Sequence, residues 1–232
     1  MIDVIIPCFN ETQNIIILLD FLSTIEERSE INIIISESPE SQERCRNIAK
    51  NKGVTYLEAK NKGRAAQMNE ASALCLGEVL MFLHADVRPP HNFVTKIKEA
   101  IQKGNKAGFF SYRFDNQSLM MRINSKFTKR DGFFAGGGDQ CQFVTRDTFE
   151  RLTGFDESFV IMEDFDFIDR IRKNNIPYAV VDSDATVSAR KYENNSWLKI
   201  NWINLRIFLK YKRGAHPVEL SQLYSSLLRE KI

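Results

Sequence analysis

Close cysteine pairs, long apolar runs and a surplus of one charge are all missing from this chain of 232 residues, and each absence removes a class of protein. The four cysteines, Cys8, Cys45, Cys75 and Cys141, stand far apart and form no CxxC pair. A structural zinc site takes closely spaced ligand pairs, so none is indicated, and the thiols are expected in or near the core of a reduced protein. No uncharged apolar run approaches the roughly 20 residues needed to span a bilayer. The 32 basic residues nearly balance 30 acidic ones, for a formal charge of +2. That balance argues against bulk binding to nucleic acid and leaves room only for a local basic patch. The chain opens directly on a strand-like run, Ile2-Asp3-Val4-Ile5-Ile6, without the parts of a signal peptide, so a cytoplasmic location is expected. Internal repeats and low-complexity linkers are also absent, which favours one domain over residues 1–232.

What is present is enough apolar content for a core, 43%, with an ordinary 27% of charged residues. Through the first half, β-branched runs at 2–6, 31–35, 54–57 and 79–83 alternate with helical stretches at 11–25, 40–50 and 65–76. Continuous Val, Ile and Leu, rather than strict alternation, marks strands covered on both faces. Repeated β-α units imply a mostly parallel sheet flanked by helices, which binds ligands beyond the carboxyl ends of its strands. The second half is less regular. Strands are expected at 107–114 and 141–145 with a helix between them, a helix at 163–174, short strands at 178–181 and 185–189, and two C-terminal helices divided near Gly214 and Pro217. The division is thus a nucleotide-binding half at 1–105, an acceptor and catalytic half at 106–192, and helices at 193–232.

Polar residues follow the strands at several points. Asn10, after Pro7-Cys8-Phe9, is placed to cap the next helix, with Glu11 in its first turn. Asp86, in His84-Ala85-Asp86, sits where a carboxylate can hold a metal carrying a diphosphate, or can cap a turn before Pro89-Pro90. Lys62-Gly63-Arg64 begins a helix behind a glycine, a setting that favours an anionic ligand, although no Gly-Lys-Ser/Thr sequence makes it a Walker loop. Met162-Glu163-Asp164 opens another helix. Its acids either complement the helix dipole or supply a general base, whose pKa the dipole would lower and the adjacent carboxylate raise.

In this order and at these spacings the motifs resemble the family 2 glycosyltransferases of the GT-A, or nucleotide-diphospho-sugar transferase, fold. The resemblance runs from Ile2–Pro7 through Asn10-Glu11, Lys62-Gly63-Arg64 with Asn69, and Phe82-Leu83-His84-Ala85-Asp86. It continues through Gly138-Asp139-Gln140, Gly154-Phe155-Asp156 and Met162-Glu163-Asp164 to Ser188-Ala189-Arg190. It covers about nine-tenths of the chain and is nearest to a compact bacterial subgroup associated with radical-SAM proteins, which has His-Ala-Asp where relatives have Asp-x-Asp. The resemblance implies that Pro7, Asn10 and Glu11 line the nucleoside pocket and that Arg64 and Asn69 approach the donor. Asp86 would hold Mn²⁺ or Mg²⁺, with His84 beside it. Gly138, Asp139 and Gln140 would line the sugar or acceptor side, Asp164 with Glu163 would be the catalytic base, and Arg190 would meet the leaving diphosphate. It further implies an inverting transfer of a hexosyl type from a nucleotide sugar, UDP-sugar favoured, to an acceptor that the sequence does not identify. One position departs from the pattern. Where relatives begin an Asp-rich stretch that reads the nucleobase, this chain has Ser36-Glu37-Ser38-Pro39-Glu40, so Ser36 takes that place, with Glu37 or Glu40 as substitutes.

Residues 197–213 are apolar around much of a helix and end in Lys210, Lys212 and Arg213. The helix is expected to pack on the domain or to lie peripherally on the inner face of a membrane. Lys199 and Arg206 exclude its spanning one. The competing functional readings are a binding protein that has lost turnover, motivated by Ser36, and a nucleotidyltransferase, which would release pyrophosphate.

Overall fold

A computed structural model describes residues 1–116, 118, 120–122, 125, 129, 131–132, 135–189, 192 and 196–228. Strand β1 (Ile2–Cys8) is buried at all seven positions, and β2 (Ile31–Glu37) at six of seven. With β3 (Thr55–Glu58) and β4 (Val79–Phe82), they form a parallel block in the order β3-β2-β1-β4. Successive side chains point to opposite faces. Accordingly Val4, Ile6 and Cys8 join one core with α1 (Thr12–Ser23), α2 (Arg46–Lys52) and α4 (Phe93–Gln102). Ile5 joins the other core, with α3 (Arg64–Ser72). In α1 the buried residues Ile15, Leu18, Leu19 and Leu22 recur at helical spacing, which is why this segment coils and lies on the sheet.

The eight-stranded sheet continues as β7-β6-β8-β5. Strand β7 (Phe143–Thr145) runs antiparallel to both β4 and β6 (Ala107–Phe114), β8 (Tyr178–Val187) is parallel to β6, and β5 (Val87–Arg88) closes the edge antiparallel to β8. Helices α5 (Arg146–Arg151) and α6 (Glu163–Lys173) share the α3 face. Helices α7 (Trp197–Lys212) and α8 (Pro217–Leu228) pack together over Ile161 in a small third core.

Three sequence expectations are corrected. The helix expected at 40–50 begins only at Arg46, because the preceding loop is tied elsewhere: Gln42 N and Glu43 N donate to Asn10 Oδ1, and Cys45 N donates to the Glu37 carboxylate. The two strands expected at 178–181 and 185–189 are one strand. A register shift pairs Phe110 with Val181 but Tyr112 with Ala185, so the intervening polar residues bulge out without ending the pairing. The helix expected over 65–76 stops at Ser72, leaving Leu76 91% exposed. The helix expected between β6 and β7 lies largely outside the described residues.

Candidate active site

Between β1 and β4 the strand order reverses, and the segments that follow these two strands meet at this switch point. Phe9 and Asn10 follow β1; Leu83, His84, Ala85 and Asp86 follow β4. From the other half of the chain come the short 3₁₀ turn Gly138–Gln140 and the start of α6. His84, Gly138, Gln142, Glu163 and Asp164 line one narrow recess over Met68, Phe82 and Phe155.

Glu163 is the most deeply buried of these polar side chains. It is 1% exposed, and neither carboxylate oxygen accepts a hydrogen bond among the described residues. The cation paired with it there is Arg64, whose Nε lies 2.8 Å from Oε1 without the alignment of a hydrogen bond. Burial pushes the Glu163 pKa up, Arg64 works against that, and Asp164 reinforces it. Arg64 in turn is held firmly charged, chiefly by Glu163 and then by Asp164 and Asp139. The chain enters α6 through Met162 in the left-handed region, φ 72°, a conformation that non-glycine residues seldom adopt and that often marks functional turns.

Asp164 is half-buried, with its carboxylate fixed by backbone donors: Phe165 N at 2.8 Å to Oδ1, and Gly138 N to Oδ2. Glycine is required at 138 because a Cβ there would strike the His84 ring and sit 3.3 Å from Asp164 Oδ2. His84 Nδ1 lies 3.6 Å from Asp139 Oδ1. Asp86 takes no hydrogen bond or ion pair among the described residues, and its electrostatic neighbour is Arg88. A lone carboxylate at a strand end fits Mg²⁺ or Mn²⁺, which bind through one or two carboxylates together with substrate phosphates and water.

Other expected site residues have mainly internal partners. Asn10, at φ 52°, does not cap α1; Glu11 occupies that position, and Asn10 instead gathers the 41–43 loop. Pro7 is buried within β1. Ser36 is fully buried, its hydroxyl donating to Gln67 O at 2.8 Å. Glu37 is fully buried on the opposite face and accepts from Cys45 N and from Tyr56 Oη at 2.5 Å, while Glu40 pairs with Lys62. Neither glutamate therefore replaces an Asp at position 36. Asn69 pins the 155–157 loop through Phe155 N, Phe155 O and Glu157. Gln140 is buried between Gly136 N and Phe110 O. Arg190 lies outside the described residues.

Sequence reading missed two buried glutamines. Gln142 Nε2 donates to Gly136 O and to Asp164 O, tying the glycine loop to α6. Gln67 Nε2 donates to Cys8 O and Ser36 O. The signal for the first was Gln140-Cys141-Gln142 leading into an apolar strand, a period-two pattern with a polar residue facing the core. The cysteines hold a further surprise. All four are free and buried, as expected, but Cys8 and Cys45 meet at 3.5 Å beside Glu37, three ligand-type side chains gathered from separate elements.

A sheet with a switch point, facing an acidic helix start across a glycine loop, is consistent with the GT-A glycosyltransferase fold. The family model for glycosyl transferase family 2 matches residues 3–159, and the chain belongs to that family. Solved structures agree on the fold. The mannosyltransferase PcManGT from Pyrobaculum calidifontis, in complex with GDP-Man and Mn²⁺, superposes with a TM-score of 0.67 at 16% identity, over 100% of this chain and 65% of that one. TarS 1–349 from S. aureus gives 0.65 at 14%, over 98% and 70%. Glucosyl-3-phosphoglycerate synthase from Mycobacterium tuberculosis, in complex with Mn²⁺, UDP and glucosyl-3-phosphoglycerate, gives 0.60 at 15%, over 92% and 80%. A search of curated proteins finds no match.

Proposed function

We propose that the chain is an inverting glycosyltransferase that moves a hexosyl group from a nucleoside-diphosphate sugar, with uridine the favoured base, to an acceptor hydroxyl. The observation that carries this reading is the acidic pair at the start of α6. Glu163 is buried and accepts no hydrogen bond among the described residues, while Asp164 beside it is oriented by two backbone amides. Strained burial of one acid next to a positioned second acid is characteristic of catalytic sites. Solved structures of similar fold hold UDP-GlcNAc, or GDP-Man with Mn²⁺, which supports the donor class.

In the reaction, the acceptor oxygen forms a bond to the anomeric carbon as the bond from that carbon to the diphosphate oxygen breaks. The acceptor proton passes to the Asp164 carboxylate, and the nucleoside diphosphate departs. Asp164 is a weak base, and a late proton transfer asks mainly for position, which the amides of Gly138 and Phe165 supply. Glu163 pairs with Arg64, whose cation would favour the donor's anionic group. A divalent cation at Asp86 would supply positive charge to the diphosphate oxygens. Arg190 keeps the leaving-group role inferred from the resemblance. Pro7, Asn10 and Glu11 shape the nucleoside side, and Gly138, Asp139 and Gln140 the sugar side. Residues 1–232 act as one domain in this reading.

The second reading, a nucleotide binder without turnover, is favoured by the internal use of Ser36 and Glu37. Incubating the chain with a panel of nucleotide sugars, Mn²⁺ and candidate acceptors separates them. Acceptor-dependent release of nucleoside diphosphate supports the transferase, binding without release supports the binder, and pyrophosphate release points to a nucleotidyltransferase.

A further inference from the structure

Helix α7 is apolar on two opposite faces, and only one is covered. Ile200, Ile203 and Ile207 are buried, the latter two in the small core with Leu220 of α8. Leu198, Trp202, Leu205 and Leu209 remain 67%, 54%, 41% and 37% exposed. At 3.6 residues per turn these four fall within an arc of about 60°, on the side away from the three isoleucines. Scattered apolar residues on a surface need no explanation, but a contiguous stripe does.

The charges that α7 itself contributes have one sign. The α7 sequence holds no Asp or Glu. The Arg206 guanidinium lies 5.2 Å over the Trp202 ring. Neither Arg206 nor Arg213 makes an ion pair among the described residues, while Lys210 is paired with Glu219. Trp202, Leu205, Arg206, Leu209, Lys210 and Arg213 together line a shallow recess of about 370 Å³.

We propose that this face docks on the surface of an anionic lipid bilayer, with the helix axis in the membrane plane. The Leu and Trp side chains enter the headgroup–acyl boundary, and the guanidinium groups meet phosphate oxygens, to which Arg makes forked hydrogen bonds. A second copy of the chain is the poorer occupant: a two-fold contact would set Arg206 and Arg213 against their own images with no acid on the helix to separate them. Spanning is excluded, since no described helix is long and apolar enough to cross a membrane. Docking also bears on the site. Phe208 of α7 packs edge-on against Phe165 at 5.2 Å, and Tyr211 Oη donates to Asp169 at 2.8 Å. Helix α6, which opens with Glu163 and Asp164, is thus one layer from the lipid surface. The docking claim does not depend on the transferase reading, because lipid binding alone tests it.

The test sediments the full chain with phosphatidylcholine vesicles made with and without phosphatidylglycerol. The expected result is binding to the anionic vesicles and about ten-fold weaker binding to phosphatidylcholine alone or at raised salt. In a Trp197→Phe background, Trp202 fluorescence shifts to the blue on binding and is quenched by brominated acyl chains. Leu205→Glu combined with Leu209→Glu lowers binding by about ten-fold or more while the circular dichroism spectrum is kept. Three results overturn the proposal: no sedimentation with anionic vesicles, binding that survives the double substitution, or light scattering that shows a dimer dispersed by it.

Discussion

Glu163 shows what a single residue can reveal. An ionised carboxylate removed from water is costly unless paired and hydrogen-bonded, and among the described residues there is a pair without hydrogen bonds. Its pKa is therefore raised in the fold above its unfolded value. Between those two values the folded chain binds the extra proton, so stability is fully present below the ordinary carboxylate range and falls as pH rises through the raised value. Urea midpoints measured across that window should fall for the native chain and stay flatter for Glu163→Gln; equal slopes would mean that Glu163 does not titrate as argued. The role proposed for Asp164 is different and has a different signature. Asp164→Asn keeps the side-chain shape but loses the proton acceptor, and should lower transfer about 10²- to 10⁴-fold while calorimetric donor binding stays near native. Transfer at the native rate would remove Asp164 as the base.

At the scale of elements, the sheet and its helices were legible because burial sets their pattern. The seven-residue run of β1 and the Ile15, Leu18, Leu19, Leu22 stripe of α1 need only hydrophobic periodicity to be read. Polar residues were not legible in the same way, because an amide side chain takes whichever partner the tertiary fold brings to it. Asn10 reads as a helix cap and serves as a loop clamp; Asn69 reads as a donor contact, and its hydrogen bonds hold the 155–157 loop. Motif order placed His84, Gly138, Glu163 and Asp164 at one site, yet Gln142 showed only in the period-two pattern before β7, and nothing hinted at Cys8 meeting Cys45. Gln67 is the clearest case. From α3 it bridges the carbonyls of Cys8 in β1 and Ser36 in β2, and its own carbonyl accepts from the Ser36 hydroxyl. Gln67→Met preserves length and apolar packing but leaves two buried carbonyls without that donor. The expected cost is about 1–3 kcal/mol in urea unfolding, with weaker nucleotide binding because the ends of β1 and β2 loosen. An unchanged midpoint would show that neither carbonyl depended on this amide.

For the molecule as a whole, the question is whether the two halves form one metal-dependent site. The β1 and β4 ends bring Asp86, and the second half brings the glycine loop and the acidic start of α6. A ligand that contacts both would couple them, as proposed for a sugar diphosphate and its cation. Binding to the folded chain alone raises the melting temperature. At ligand one hundred times Kd the gain is about 2.7 kcal/mol. For a chain of this length that corresponds to roughly 5–10 °C. The native protein should show this rise with nucleoside diphosphate and Mn²⁺ together, and much less with nucleotide once the cation is chelated. In Asp86→Ala the increment that depends on Mn²⁺ should vanish, while melting without ligand stays close to native, because Asp86 makes no hydrogen bond or ion pair among the described residues. If instead the increment survives the substitution, the cation is held by other groups. His84 with Asp139, 3.6 Å apart, is then the pair to change next.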